Sequence, residues 1–279
     1  MNLTMLIEMA GAAYGDRVAV QCGAETLRYE ELFAASGAAA RELQASGAAH
    51  LALLDVSSLA APVALFAAAR AGLPYVPLNY RLTGTEVDAL LERIAPAKLV
   101  TDAERAASFA ARAGVSVAAR DAFLASARAG AEAPDAPNDP EGIAVLLFTS
   151  GTTGAPKAAV LRHRHLVSYV LGSVEFASAG DDEAALVSVP PYHVAGVAAI
   201  LSSVYAGRRI VQLPSFSPEA WLAAARTERV THAFVVPTML ARIVEALAGR
   251  ARADLPHLRS LAYGGGKMPL PVIERALEL

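Results

Sequence analysis

Leu147-Phe148-Thr149-Ser150-Gly151-Thr152-Thr153-Gly154-Ala155-Pro156-Lys157 is the stretch on which the reading of this chain turns. The apolar run Ile143–Phe148 leads into it, and Ala158–Leu161 leads out. Gly151 and Gly154 allow a tight turn and a close approach of backbone to a ligand. Thr149, Ser150, Thr152 and Thr153 add hydroxyl donors without bulk. Lys157 closes the stretch with a mobile positive charge. Backbone N–H groups and hydroxyls in a concave nest, with an ammonium beside them, suit a polyphosphate. The Walker pattern is absent, because proline precedes the lysine and alanine follows it. On the residues alone, a polar strand-to-strand turn without a ligand stays equally open.

Outward from this stretch, short β-rich runs alternate with longer helical ones. Strands are expected at Val18–Cys22, Leu51–Leu54, Tyr75–Pro77, Lys98–Thr101, Ile143–Phe148, Ala185–Val189, Arg209–Gln212, His232–Val235 and Leu258–Tyr263. Helices are expected at Tyr29–Ser46, Ser57–Ala71, Thr83–Ile94, Leu166–Ala177, Val194–Ala206, Pro218–Thr227, Thr238–Leu247 and Leu270–Leu279. The Ala-rich stretch at about 103–130 reads as ordinary helix. Val145–Phe148 and Phe234–Val236 are nearly all apolar, as strands covered on both faces are. The alternation predicts an α/β fold of layered subdomains with largely parallel sheets. Thr83 with Glu86 forms a capping box, and Ser217 before Pro218 marks another helix start. Ala131–Glu141, rich in Pro and Asp, reads as an exposed linker. It divides the chain into a first α/β subdomain at 1–135 and a second at 136–279.

Hydrophobic residues make up 54% of the 279 and charged residues 18%, enough apolar material for a sizeable core. A net charge of -3 gives no pointer to nucleic acid or an anionic membrane. The single cysteine, Cys22, rules out an internal disulfide framework and fits a reducing compartment; its expected role is that of a buried small hydrophobe. The first residues carry Glu8 and Asp16 and no basic leader, and the longest apolar run, Leu59–Ala69, is shorter than the ~18 residues of a membrane span. A cytoplasmic protein without a membrane span is the expectation.

Residues 149–157 resemble the phosphate loop of the adenylate-forming (AMP-binding) superfamily, whose members include acyl- and aryl-CoA ligases, amino-acid adenylation domains and luciferases. The family string runs Thr-Ser-Gly-Thr-Thr-Gly-x-Pro-Lys-Gly, and only Ala158 departs from it. Further stretches resemble the same family. Leu161–Leu166 carries the His-Arg pair that opens a helix in relatives; His163 and His165 are read as a helix start, and no metal ligand is expected among these residues. Val189-Pro190-Pro191-Tyr192-His193-Val194-Ala195-Gly196 is similar to the segment beside the acyl pocket. Val235–Met239 resembles a pocket wall, and Tyr263-Gly264-Gly265-Gly266-Lys267-Met268-Pro269 resembles a turn that packs against adenine. Lys267 stands where relatives have proline.

The resemblance implies the incomplete large N-terminal domain of the adenylate-forming fold, with the C-terminal lid domain absent. It also implies an ATP-dependent acid–thiol ligase: a carboxylic acid, fatty or aryl, becomes acyl-AMP and is passed to CoA or to a carrier protein. By resemblance, Thr149, Ser150, Gly151, Thr152, Thr153, Gly154 and Lys157 hold phosphates, and Gly264, Gly265 and Gly266 face the adenine. Lys157 and His193 are the implied catalytic residues. His193, Val194, Gly196, Val197, Val236, Pro237, Thr238 and Tyr263 are the implied substrate pocket. Mg2+ is implied with ATP, with ligands largely outside this chain. The family's Tyr-Gly-x-Thr-Glu segment, ribose-binding aspartate and C-terminal lysine do not occur in these residues, so a fragment with little or no activity alone is expected. A non-catalytic nucleotide- or acyl-binding module is the competing reading. Neither the acid nor the oligomeric state follows from the sequence.

Overall fold

The computed structural model describes residues 1–130, 138–149 and 157–279. In chain order they form α1 (Leu3–Tyr14), β1 (Val18–Cys22), β2 (Glu25–Arg28), α2 (Tyr29–Ala45), β3 (His50–Leu54), α3 (Ala60–Ala71), β4 (Tyr75–Pro77), α4 (Gly84–Ile94), β5 (Ala97–Thr101), α5 (Ala103–Phe109), β6 (Val115–Ala119) and α6 (Arg120–Ala129). Then come β7 (Ile143–Thr149), β8 (Lys157–Arg162), α7 (His163–Ser173), β9 (Ala184–Val187), α8 (Val194–Ala206), β10 (Arg209–Gln212), α9 (Pro218–Thr227), β11 (His232–Val235), α10 (Pro237–Ala246), β12 (Ser260–Tyr263) and α11 (Leu270–Glu278).

The expected α/β architecture with largely parallel sheets is what forms. One sheet runs β12-β11-β9-β10-β1-β2, the other β6-β5-β3-β4-β7-β8. Within them only the β1–β2 and β7–β8 pairs are antiparallel. The linker at 131–141 is not where the two sheets part. β1 and β2 pair into the sheet of β9–β12, Val20 lying opposite Ile210, while β7 and β8 extend the sheet of β3–β6. Residues 131–137 of that linker lie outside the described residues.

Strand periodicity explains the layering. Successive residues point to opposite faces. Leu51 and Leu53 enter a central core, while Ala52 and Leu54 enter a second core built with α4 and α5. In the other sheet Val187 and Ile210 face the central core, and Leu186 and Val211 face a third core under α9 and α10. The central core is thus shared by both sheets, and α3, buried along its whole length, lies in it. Each large side chain sealed there, such as Phe66 or Leu65, contributes ~1.5–3 kcal/mol.

Local signals held where they were strongest. Thr83 Oγ1 accepts from Glu86 N and the Glu86 carboxylate accepts from Thr83 N at 2.8 Å. Ser217 Oγ accepts from Ala220 N at 3.1 Å, with Pro218 in the first turn of α9. The helix expected at 103–130 is a helix–strand–helix. Gly114 takes a left-handed φ of +71° and turns the chain into β6, which pairs with β5 along its length. α7 begins three residues earlier than expected, at His163. Cys22 is a half-buried free thiol packed against the central core, and burial raises its pKa. No helix among the described residues is long and apolar enough to cross a membrane.

Candidate functional site

Parallel strands deliver their following loops to one edge of a sheet, the usual place for ligands in open α/β sheets. Here both sheets deliver to a common cleft. Ser57 follows β3, Tyr80 and Arg81 follow β4, Tyr192 and His193 follow β9, Phe216 follows β10, and Val236 and Thr238 follow β11. The cleft has a volume of about 250 Å³.

A second, larger cavity of about 420 Å³ lies beside it, between α7 and α8. Helix geometry makes it. Val197, Ile200, Leu201 and Val204 fall on one face of α8 and are buried in the central core. The other face carries Ala195, Ala198, Ala199 and Ser202, too small to fill the space to Tyr169 of α7. Phe234 of β11 forms part of the wall. Among the described residues no Asp, Glu, Lys or Arg lines this cavity, and the Ser202 hydroxyl is spent on Ala198 O at 2.8 Å. Tyr169 and Val194, about half exposed, stand open to solvent.

His193 is the N-terminal flanking residue of α8, and its side chain makes no capping bond. Its ring packs against Tyr192, with centroids 4.5 Å apart, and Tyr192 meets Tyr80 edge-on at 5.4 Å. Burial and, after it, the nearby Arg81 hold the imidazole below its ordinary pKa. His193 is thus a neutral group at neutral pH, lining the cleft, with Val194 beginning the larger cavity.

The other expected site residues fall as follows. Thr149 ends β7 and Lys157 begins β8, and the two are directly paired, Thr149 Oγ1 donating to Lys157 O at 3.4 Å. Both side chains are exposed. Ser150, Gly151, Thr152, Thr153 and Gly154 lie outside the described residues. Val236 and Thr238 line the cleft, and Pro237 opens α10. Gly196 is in close contact with Pro190: a Cβ there would lie 3.0 Å from its carbonyl oxygen. Val197 is 1% exposed and faces the core, not either cavity. Tyr263 ends β12 half exposed, and Gly264, Gly265 and Gly266 follow it. A Cβ on Gly264 would lie 3.2 Å from Phe234 Cζ, which ties this turn to the wall of the larger cavity.

The two histidines after the motif have structural work. Buried His163 accepts from Leu3 N at 3.3 Å, and His165 Nδ1 accepts from Arg162 N at 3.2 Å in the first turn of α7. Among the described residues no group of three His, Cys, Asp or Glu is placed to hold a metal. Sequence reasoning missed Tyr169, Ala198, Ala199 and Ser202 in one cavity and Arg81, Phe216 and Arg242 in the other. For α8 a signal existed: the small residues recur three and four apart, opposite the large ones. For Arg81 the signal was its position just after β4; Arg242, inside α10, had none.

Comparison with known proteins gives a consistent picture. Residues 7–279 match the family model described as AMP-binding enzyme. The chain is 34% identical over 267 residues to a feruloyl-CoA synthase of an Amycolatopsis species, covering 93% of this chain and 53% of the relative. It is 31% identical over 275 residues to ScoC of Streptomyces coeruleorubidus, a fatty acid–[acyl-carrier-protein] ligase, covering 93% and 52%. Among solved structures it is similar to ATP-bound MatB from Rhodopseudomonas palustris, with a TM-score of 0.84 and 28% identity over 99% of this chain and 57% of that one. The chain spans about half the length of the curated relatives it matches.

Proposed function

The chain belongs to the AMP-binding enzyme family, and from that membership we propose that it is the N-terminal part of an ATP-dependent acid–thiol ligase. The enzyme activates a fatty or aryl carboxylic acid and passes it to CoA. A carboxylate oxygen attacks the α-phosphorus of ATP, the bond to the bridging oxygen breaks, and pyrophosphate leaves. The thiol then attacks the acyl carbon of the acyl-AMP and AMP departs. Neither step needs the protein to supply a nucleophile, so its work is positioning and charge stabilisation.

The observation that supports this reading is the opening of the His193 cleft and an apolar cavity at the carboxyl ends of the parallel strands, the end at which β7, parallel to β4, stops at Thr149. In the proposal the residues from Thr149 to Lys157 hold the β- and γ-phosphates, and the Lys157 ammonium offsets charge on the departing pyrophosphate. Neutral His193 borders the acid's carboxylate without acting as a base. The acid's apolar body lies between α7 and α8, where no Asp, Glu, Lys or Arg among the described residues opposes it. The turn at Gly264–Gly266 offers bare backbone to the adenine ring. Mg2+ would arrive with ATP, and no residue of this chain is assigned to it. A carrier protein in place of CoA is the second reading, favoured by the resemblance to ScoC.

The test is a panel of acids scored by pyrophosphate release, with CoA, with a holo carrier protein and with neither. Full-length protein is expected to release pyrophosphate with an apolar acid and to form thioester with CoA. The 279 residues alone are expected not to catalyse acid-dependent pyrophosphate exchange. Lys157→Ala is expected to weaken ATP use at least tenfold with an unchanged circular-dichroism spectrum. Unchanged ATP dependence in that variant would count against the role of Lys157.

A further inference from the structure

The cavity between α7 and α8 is apolar over most of its wall, and the few polar side chains on it are complementary in kind. α8 contributes a single hydroxyl to the described lining, that of Ser202. The helix starts after His193, which lines the neighbouring cleft, and Ser202 lies two turns further along it, ~12 Å down the axis. Ser202 Oγ donates its only proton to Ala198 O at 2.8 Å. A hydroxyl held in this way keeps its lone pairs and can only accept. α7 supplies the other half. His165 and Tyr169 stand one turn apart on the side of α7 that lines the cavity. His165 Nδ1 accepts from Arg162 N at 3.2 Å, so the neutral ring carries its proton on Nε2, a donor. The Tyr169 hydroxyl has no hydrogen-bond partner among the described residues and is open to donate or accept.

An acceptor on one helix and donors on the other fit a ligand group that both donates and accepts. A neutral hydroxyl does so, an ether only accepts, and a methyl group does neither. A charged group here would meet no Asp, Glu, Lys or Arg among the described lining residues to offset the loss of its hydration. The rest of the wall bears on the body of the ligand. Ala195, Ala198 and Ala199 present an unbranched surface, and the rings of Phe234 and Tyr169 bound it. Such a slot suits a flat aromatic ring better than a coiling alkyl chain.

We propose that Ser202, His165 and Tyr169 select the acid by holding a neutral hydroxyl at the end remote from its carboxylate. The acid is then a hydroxyaryl acid on a short chain and not a plain fatty acid. The inference rests on the acid site proposed above, because that reading places the carboxylate at His193. Tyr169 is half exposed and His165 is exposed, so water reaches these groups when no ligand hydroxyl does. The selection is therefore moderate, about tenfold, the net worth of one hydrogen bond.

The experiment is calorimetric titration of the 279-residue chain with para-hydroxyphenylpropanoic, para-methoxyphenylpropanoic, phenylpropanoic and octanoic acids. The hydroxylated acid is expected to bind about tenfold more tightly than phenylpropanoic acid, and the methoxy acid no more tightly than phenylpropanoic acid. Ser202→Ala and Tyr169→Phe each remove one oxygen and leave the packing in place. Ser202→Ala is expected to abolish most of the preference and Tyr169→Phe part of it, with the affinity for phenylpropanoic acid unchanged in both. In full-length protein the same difference should appear in KM, with kcat nearly unchanged. Equal wild-type affinity for the hydroxylated and plain acids overturns the proposal, as does tightest binding of octanoic acid. So does a Ser202→Ala loss that falls equally on both aryl acids, which would show packing alone. Each of these results leaves the acid site itself standing. Binding of none of the four acids removes the site and this inference with it. Failure of acid activation shows separately, as absent acid-dependent pyrophosphate release from full-length protein while the hydroxyl preference in binding persists.

Discussion

Gly207 and Gly249 share a backbone conformation but not surroundings, which makes them a controlled pair. Both take a left-handed φ, +78° and +79°. Replacing either with alanine puts a Cβ into a conformation that L-residues resist, at ~1–2 kcal/mol. Around Gly249 nothing lies within 4 Å, so its cost stops there. At Gly207, which ends α8, the new Cβ would sit 2.5 Å from Tyr14 Cε2 and 2.6 Å from Cζ. Tyr14 has little room to yield. Its ring packs on Tyr29 at 5.8 Å and Phe176 at 6.3 Å, and the Arg17 guanidinium covers it at 4.4 Å. Tyr29 also donates to Arg208 O at 3.0 Å, beside the glycine. Overpacking a site of this kind costs a further ~1–3 kcal/mol. Gly207→Ala should therefore lose ~2–5 kcal/mol and Gly249→Ala ~1–2 kcal/mol. Urea unfolding of both variants under identical conditions gives the two values, with slopes compared to confirm that the unfolding reaction is unchanged. Equal losses would refute the claim that the end of α8 is locked against α1 and α2.

Ala199→Trp should fill the cavity between α7 and α8 and weaken binding of apolar acids at least tenfold while leaving pyrophosphate binding unchanged, both read by calorimetry. Thr83→Ala removes the acceptor for Glu86 N and should cost ~0.5–2 kcal/mol in urea unfolding, with Thr83→Ser close to wild type. His50, His163, His193 and His232 are all held below the ordinary histidine pKa, burial being the first cause in each. The unfolded chain therefore takes up protons first, and stability should fall as pH drops below the ordinary value of 6.5. Urea midpoints between pH 7.5 and 5.5 test this, and His163→Gln should flatten the dependence; a flat wild-type profile would contradict it.

What was legible in the sequence was local. The apolar strands, the box at Thr83 and Glu86 and the cap at Ser217 depend on neighbours in the chain, and each formed where expected. β2 has one buried residue, Leu27, and so almost no alternation to detect. β6 was hidden by the alanines around it, although Gly114 was the sign of a break. α1 is capped by Asn2, whose Oδ1 accepts from Thr4 N at 3.1 Å, but those residues had been considered only as a leader. The pairing of β1 with β10 has no local signature at all, because it depends on the whole central core. The sites divide in the same way. His193 and the Thr149–Lys157 segment were found as strings. Arg81 and Arg242 lie far apart in the chain and meet only because β4 and β11 end at the same cleft.

The exchange of strands between the sheets also sets an order of events during synthesis. β1 leaves the ribosome early, but its parallel neighbour β10 follows roughly 190 residues later, a wait of ~10–40 s at ordinary rates of translation. Through that interval the edge of β1 that will meet β10 stays unpaired, and Ala19 and Val20 lack most of the core that will bury them. The sheet of β3–β6, by contrast, can assemble as it emerges and wait only for β7. The nascent chain is therefore asymmetric: one sheet matures from its centre outward, while the other is held open by its oldest strands until nearly the last ones arrive.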